Sequence, residues 1–334
     1  MPRRSSVPRC SAGTSVPLPC RTLYRTAYVT SGQTAAARVG GTAGGIHSGM
    51  ELVRVSSWRV LDDAVSEAGR CDGTEHAHST LVFRGAARST YSHMSGLARL
   101  DGDYAALESH LIRNFRKYAH RQVPGPTIWD WLALGQHHGL PTRLLDWTFS
   151  PLVALHFTTA SWPDDDGVLL AVDCAGAHRL LPEPLRASLE AEGALVFTTE
   201  LLAESAGDLA RFDRLGGDEP FLAFFEPPSL DDRVINQSSV LSAFSCVTFQ
   251  LEQWLEEHPG LWHGWLVPSG VKAEIRQRLD QANITERVLL PGLDGLADWL
   301  RRYYSPGGVA TGDGGGASMT AGERRHRHEG PMAT

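Results

Sequence analysis

Seven side chains able to do chemistry fall within the thirteen residues from Gln136 to Thr148: Gln136, His137, His138, Thr142, Arg143, Asp146 and Thr148. A carboxylate can stabilise developing positive charge or take a proton. Two imidazoles can move protons or hold a metal, and a guanidinium can grip phosphate or carboxylate with two parallel bonds. The amide and hydroxyls can orient any of these. The run is bracketed by apolar segments, WLAL at 131–134 and SPLVALHF at 150–157, and polar groups between such segments are expensive to bury unless each finds a partner. Two explanations follow, a ligand site or an internal hydrogen-bond network. A metal centre from His137, His138, His156 and Asp146 is disfavoured, because adjacent helical residues point about 100° apart and rarely reach one ion. His156, on the face of Leu152 and Leu155, is expected to be a core histidine bonded to backbone.

Local signals place these groups. Thr127 followed by Asp130 has the form of an N-cap with an acidic third position, predicting a helix through Trp131, Leu132 and Leu134 to His138. Gly139 supplies a left-handed terminator and Pro141 turns Leu140 away from helical dihedrals, so Gln136, His137 and His138 sit on the last turn. The Arg143, Leu144, Leu145 run predicts a short buried strand. Ser150 and Pro151 read as the cap and first residue of the next helix, which puts Asp146, Trp147 and Thr148 in the connection between strand and helix.

With Phe83, Arg84 and Gly85 upstream, the run QHHGLPTRLLDWT and the following SPLVALHF resemble the FRG domain, named for its Phe/Tyr-Arg-Gly element. Downstream, DDRVINQSS resembles the family's Arg-Ile-x-x-Gln segment. LVPSGVKAEIRQRLDQANITERVLLPGLDGLADWL resembles its closing region. The resemblance spans roughly residues 78–304, and the central run is its specific part.

The resemblance implies a distant relation to the ADP-ribosyltransferases, whose small split-sheet fold binds NAD between two strands. An Arg on the first core strand, a Thr on a second and a Glu or Gln starting a third would then correspond to Arg84, Thr148 and Gln237. Arg84 could bond a phosphate in two places, and Gly85 beside it would let a ligand approach the backbone. Phe83, Gln136, His137, Thr142 and Arg143 would complete the cofactor-binding set. Trp147 would stack on a nicotinamide or adenine ring, or pack in the core. Thr148 would bond the ligand or cap the Pro151 helix, and Arg84 would hold phosphate or pair with Asp146. Cleaving the nicotinamide bond builds positive charge on the ribose. Gln237 brings no charge, so Asp146 or Glu226 must supply it, or the domain binds without turnover.

Three functions stay open. The first is an NAD-consuming enzyme that hydrolyses NAD or transfers ADP-ribose to a macromolecular acceptor, as a bacterial toxin or phage-defence effector would. The second is a non-catalytic module for a nucleotide-type anionic ligand or a protein. The third is an unrelated hydrolase or metal-dependent enzyme using the histidines. G-x-S-x-G, G-x-x-x-x-G-K-[ST] and H-E-x-x-H are all absent, and GGTAGG at 40–45 follows no predicted strand. The expected ligand is NAD as substrate, with no metal.

Charge and composition bound these readings. The first fifty residues hold six arginines and no acidic residue, whereas the rest has 25 Lys and Arg against 38 Asp and Glu. A nucleic-acid face is therefore not indicated for the core. Residues 1–50 are rich in Ser, Thr, Ala, Gly and Pro without apolar period, predicting a disordered leader or a start codon misassigned ahead of Met50. Residues 51–77 extend the domain, 78–304 form it, and 305–334, with GDGGGAS and RRHRHEG, read as a disordered tail. No stretch approaches eighteen apolar residues, so no membrane span is expected. Five scattered cysteines without a C-x-x-C pair fit a reducing cytoplasm.

Apolar patterning predicts strands over 80–83, 168–173, 220–226 and 265–268. It predicts helices over 104–118, 127–138, 151–160, 186–214 with breaks, 271–282 and 293–304. Without a fixed repeat or regular strand-helix alternation, the order predicts an α+β domain with a mixed sheet packed by helices. Asp164 to Asp166 read as a solvated turn.

Overall fold

The computed structural model describes residues 37–39, 50–70, 79–100, 104–119, 121–122 and 125–305. The leader reading falls outside the described residues apart from 37–39 and Met50, and the tail reading lies outside them beyond Ser305. In chain order the elements are β1 (Ala37–Val39), β2 (Leu52–Arg54), α1 (Trp58–Ala68), β3 (Leu81–Ala86), α2 (Tyr104–Tyr118), α3 (Ile128–His137), β4 (Leu144–Thr148), α4 (Pro151–Thr159) and β5 (Gly167–Asp173). Then come α5 (Cys174–His178), α6 (Glu183–Glu192), α7 (Thr199–Ser205), α8 (Leu209–Leu215), β6 (Leu222–Phe225), α9 (Asp232–Asn236), β7 (Ser239–Phe244), α10 (Leu251–Glu257), β8 (Trp262–Val267), α11 (Ser269–Gln281), α12 (Glu286–Leu289) and α13 (Leu293–Tyr304).

The strands form one sheet in the order β1-β2-β8-β5-β3-β4-β7-β6. Only β2 and β8 pair in parallel among the described strands; the other neighbours are antiparallel. The chain is therefore α+β with a mixed sheet. β5 reads GVLLAVD and is buried along almost its whole length, as a near-continuous apolar run must be when both faces are covered. No helix among the described residues is long and apolar enough to cross a membrane.

Strand pleating sorts the core into three clusters. Val82, Leu145, Trp147, Leu170, Val172, Val240 and Phe244 point to one face, where α5 and α10 add Ala177, Leu251, Trp254 and Leu255. On the opposite face the apolar packing divides. One cluster joins Phe83, Leu169, Ala171 and Trp265 to α1, α4 and α11. The other joins Leu144, Leu241 and Ala243 to α3, α6, α7 and α8. The seam between them runs along the β3 and β4 junction, where the ladder shows a single pair, Phe83 with Thr148.

Helix boundaries follow the local chemistry. Thr127 and Asp130 close a reciprocal capping box, Gly139 has φ of 79°, and Ser150 caps α4 with Pro151 in its first turn. Two expectations are corrected. Asp146, Trp147 and Thr148 lie inside β4 and not in a connection, because their backbone pairs with Ser239 to Leu241 of β7. Arg84 and Gly85 lie inside β3, paired with Leu170 and Leu169 of β5. β7 itself was not predicted: Ser239 and Ser242 interrupt its apolar pattern, and Ser242 is buried only because it accepts from the Trp147 indole at 2.9 Å.

A candidate site on the seam of the sheet

In β4 every residue is buried or nearly so except Asp146. An exposed carboxylate in an interior strand needs an opening above it, and the seam between the two apolar clusters supplies one. The Asp146 side chain shares the face of Leu144 and Thr148, so it rises from the floor of that seam. Gln136, at the end of α3, donates Nε2 to Asp146 Oδ2 at 2.9 Å, and Thr142 donates its hydroxyl to Gln136 Oε1 at 2.6 Å. Thr142 Oγ1 in turn accepts from the Leu144 backbone at 3.1 Å. With its carbonyl committed to Thr142, the Gln136 amide is fixed with its nitrogen toward the carboxylate.

Arg84 meets the Asp146 backbone from the other face of the sheet, the face of Val82. Its Nη1 donates to the Asp146 carbonyl at 2.6 Å and its Nε to His93 Nδ1 at 3.3 Å. Where β3 and β4 part, the guanidinium replaces a ladder bond. Burial lowers its pKa, with Asp146 and Glu252 acting the other way, and an arginine so placed stays charged. His93 is held by its backbone N–H on Glu252 Oε1 at 2.7 Å.

The rim is formed by α3 and α9. His137 Nε2 lies 2.8 Å from Asp231 Oδ2. Burial lowers the His137 pKa, Asp231 opposes that, and the charge of Arg233, two residues along the chain from Asp231, lowers it further. Thr148 donates to the Gln237 carbonyl at 2.6 Å and accepts from the Ser150 N–H at 3.0 Å. The Gln237 amide donates to the Leu289 carbonyl at 2.8 Å.

The structure thus brings Gln136, Thr142, Asp146, Thr148 and Gln237 into one connected region, with His137 at its edge; Arg84 leaves β3 on the face of Val82 and reaches that region through the Asp146 carbonyl alone. Other expected site residues are engaged elsewhere. Arg143, just ahead of β4, pairs with Glu108 of α2 and Asp213 of α8, all three of its nitrogens being taken. Trp147 is 3 % exposed and packs edge-on against Phe224 in the core. Phe83 is buried with Leu155 and Trp265. Beside Gly85 the space belongs to α4: a Cβ there would lie 2.0 Å from the Ala154 carbonyl oxygen, so this glycine admits a helix to the strand. Glu226 bonds through its N–H to the Phe197 carbonyl beyond the end of β6.

The histidines do not converge. His156 is buried, and its Nδ1 faces Arg276 Nη1 at 2.9 Å. Because a guanidinium only donates, Nδ1 is the acceptor and the ring proton sits on Nε2. No group of three or more His, Cys, Asp or Glu among the described residues is placed to hold a metal. Sequence reasoning missed His93, Asp231, Arg233 and Glu252. The only signal available was the position of Asp231 and Arg233 in DDRVINQ, and nothing local marks His93 or Glu252.

A mixed-sheet α+β domain with a polar seam at the parting of two central strands is the class these observations define. Residues 79–167 match the family model described as the FRG domain. The segment similar to the FRG domain carries Arg84, Gln136, Asp146 and Thr148 but ends before Asp231 and Gln237. The match is shorter than the 78–304 span of the motif resemblance. No curated protein and no solved structure matches the chain.

Proposed function

We propose that the seam binds NAD and cleaves its nicotinamide glycosidic bond, passing ADP-ribose to water or to a macromolecular acceptor. The observation that carries this reading is Asp146, a solvent-facing carboxylate on the floor of an interior strand, oriented by Gln136. As the bond from ribose carbon to nicotinamide nitrogen breaks, its electron pair leaves with nicotinamide and the sugar becomes cationic. A fixed anion beside it lowers that barrier, as in glycoside hydrolysis. Water or an acceptor hydroxyl then forms the new bond and releases its proton to solvent. Arg233 at the rim supplies charge for the pyrophosphate, and Arg84 positions the Asp146 backbone. One observation favours binding without turnover as the second reading: Gln237 and Thr148, the ribose contacts by resemblance, are both bonded to protein.

The test is incubation of the full chain with nicotinamide-labelled NAD, following released nicotinamide, alongside calorimetric titration with NAD. Asp146→Asn is expected to slow release by about 100-fold or more while leaving the thermal midpoint close to that of the parent. Asp164→Asn, in the exposed turn, should change neither. Binding without release selects the second reading. Neither binding nor release overturns both.

A further inference from the structure

The closing helix α13 leaves much of an apolar stripe uncovered. Its buried positions are Gly295 and Arg302, whereas Leu293, Leu296, Leu300, Tyr303 and Tyr304 are 82 %, 38 %, 38 %, 64 % and 78 % exposed. Helices that finish on a protein surface ordinarily do the reverse. What fastens α13 is polar: Arg302 bonds Asp280 and Glu286 at 2.7 Å each, and Gly295 lies so close to α12 that a Cβ would meet the Leu290 carbonyl oxygen at 1.9 Å. Leu293 stands clear of that attachment, and Leu296 and Leu300 are covered over only part of their surface. They recur at three- and four-residue spacing, which draws one apolar stripe along the helix.

We infer that this stripe is the contact through which two copies of the chain pair, α13 against α13 and antiparallel. The charges beside the stripe decide the direction. Asp294 and Arg301 are both exposed, Arg301 resting on Asp298 of its own helix at 2.7 Å, and they are seven residues apart, so they lie on the same edge of the stripe near opposite ends. A twofold axis perpendicular to the helices keeps that edge on the same side of both while reversing one of them. Asp294 of each copy then meets Arg301 of the other, twice, and Leu296 falls beside Leu300 across the axis. Parallel pairing would set the charged edge against the Tyr303 edge. The chain's own residues 306–334 are poor cover, with Val309, Met319 and Met332 as their only large apolar residues. A 12-residue helix is about 18 Å long, so the contact is at the small end of specific interfaces and dissociates in the micromolar range.

The test is sedimentation velocity of the full chain over roughly 1 to 500 µM, with circular dichroism confirming the fold of each variant. The parent is expected to pass from monomer to dimer in that range. Leu300→Asp should weaken the dimer at least ~10-fold with an unchanged thermal transition. Asp294→Arg and Arg301→Asp should each weaken it, and the double variant should regain most of the loss, because exchange restores both pairs only in the antiparallel arrangement. A parent that stays monomeric throughout overturns the inference. So does a dimer indifferent to Leu300→Asp, or a double variant no better than either single one.

Discussion

Arg143→Met separates a structural arginine from a ligand-gripping one. Arg143 and Glu108 side chains are each 3 % exposed, and Arg143 Nε lies 2.9 and 3.0 Å from the two Glu108 oxygens. The guanidinium also pairs with Asp213 of α8 and donates to the Phe244 carbonyl at 3.2 Å, so one side chain ties α2, β4, α8 and β7 together. Burial pulls its pKa down, but the bonds and charges of Glu108 and Asp213 outweigh this and hold it above the ordinary arginine value. Removing the cation leaves Glu108 charged and buried, a loss of about 3–5 kcal/mol from a total stability on the order of 5–15 kcal/mol. Asp213 is 40 % exposed and can be rehydrated, so Glu108 accounts for most of the effect. Urea unfolding followed by tryptophan fluorescence should show the midpoint falling, with a thermal midpoint lower by on the order of 10 °C. Adding Glu108→Leu should return much of the loss, since two apolar residues can replace a buried pair. A single variant less than about 1 kcal/mol weaker, with NAD binding lost instead, would refute the reasoning and return Arg143 to the ligand set.

Gly85→Ala should cost about 1–3 kcal/mol, because its Cβ would meet the Ala154 carbonyl at 2.0 Å and the Thr158 hydroxyl at 2.6 Å; an unchanged urea midpoint would show that α4 yields freely. Stability should also fall as pH drops below neutrality. Burial, aided by Arg276, pushes His156 down to about 3, and burial pushes His178 down to about 4, so below pH 6.5 the unfolded chain takes protons that the folded one refuses. Each excess proton weakens the fold by about 1.4 kcal/mol per pH unit. Glu286, whose burial alone would raise it, is pulled down to about 2 by Arg302 and Arg276; its contribution, full above pH 4.5, is lost as pH falls through 2. Thermal midpoints from pH 7 to pH 4 that do not decline would contradict these environments.

Much of the frame was legible in the sequence, because capping and termination are local. Thr127 with Asp130, Gly139, and Ser150 with Pro151 act across at most a few bonds of chain, so they fixed α3 and α4 before any packing was known. α2 and α13 begin and end where their apolar period predicts. The polar run at 136–148 announced that partners must exist. It did not name them, since Arg143 finds Glu108 and Asp213 at separations of 35 and 70 residues. Local pattern likewise could not tell that β4 continues through Thr148, because its partner β7 lies 90 residues on and is broken by two serines.

By itself, then, the chain's order of residues determined its helices, its α+β character and the density of polar groups at one stretch, all of which depend on neighbours along the backbone. Only the tertiary structure decided that Trp147 turns inward, that Gly85 makes room for a helix, and that Asp146 faces water. The last depends on where two apolar clusters on one face of the sheet fail to meet, the other two on which element covers each strand, and no window of sequence contains these partners.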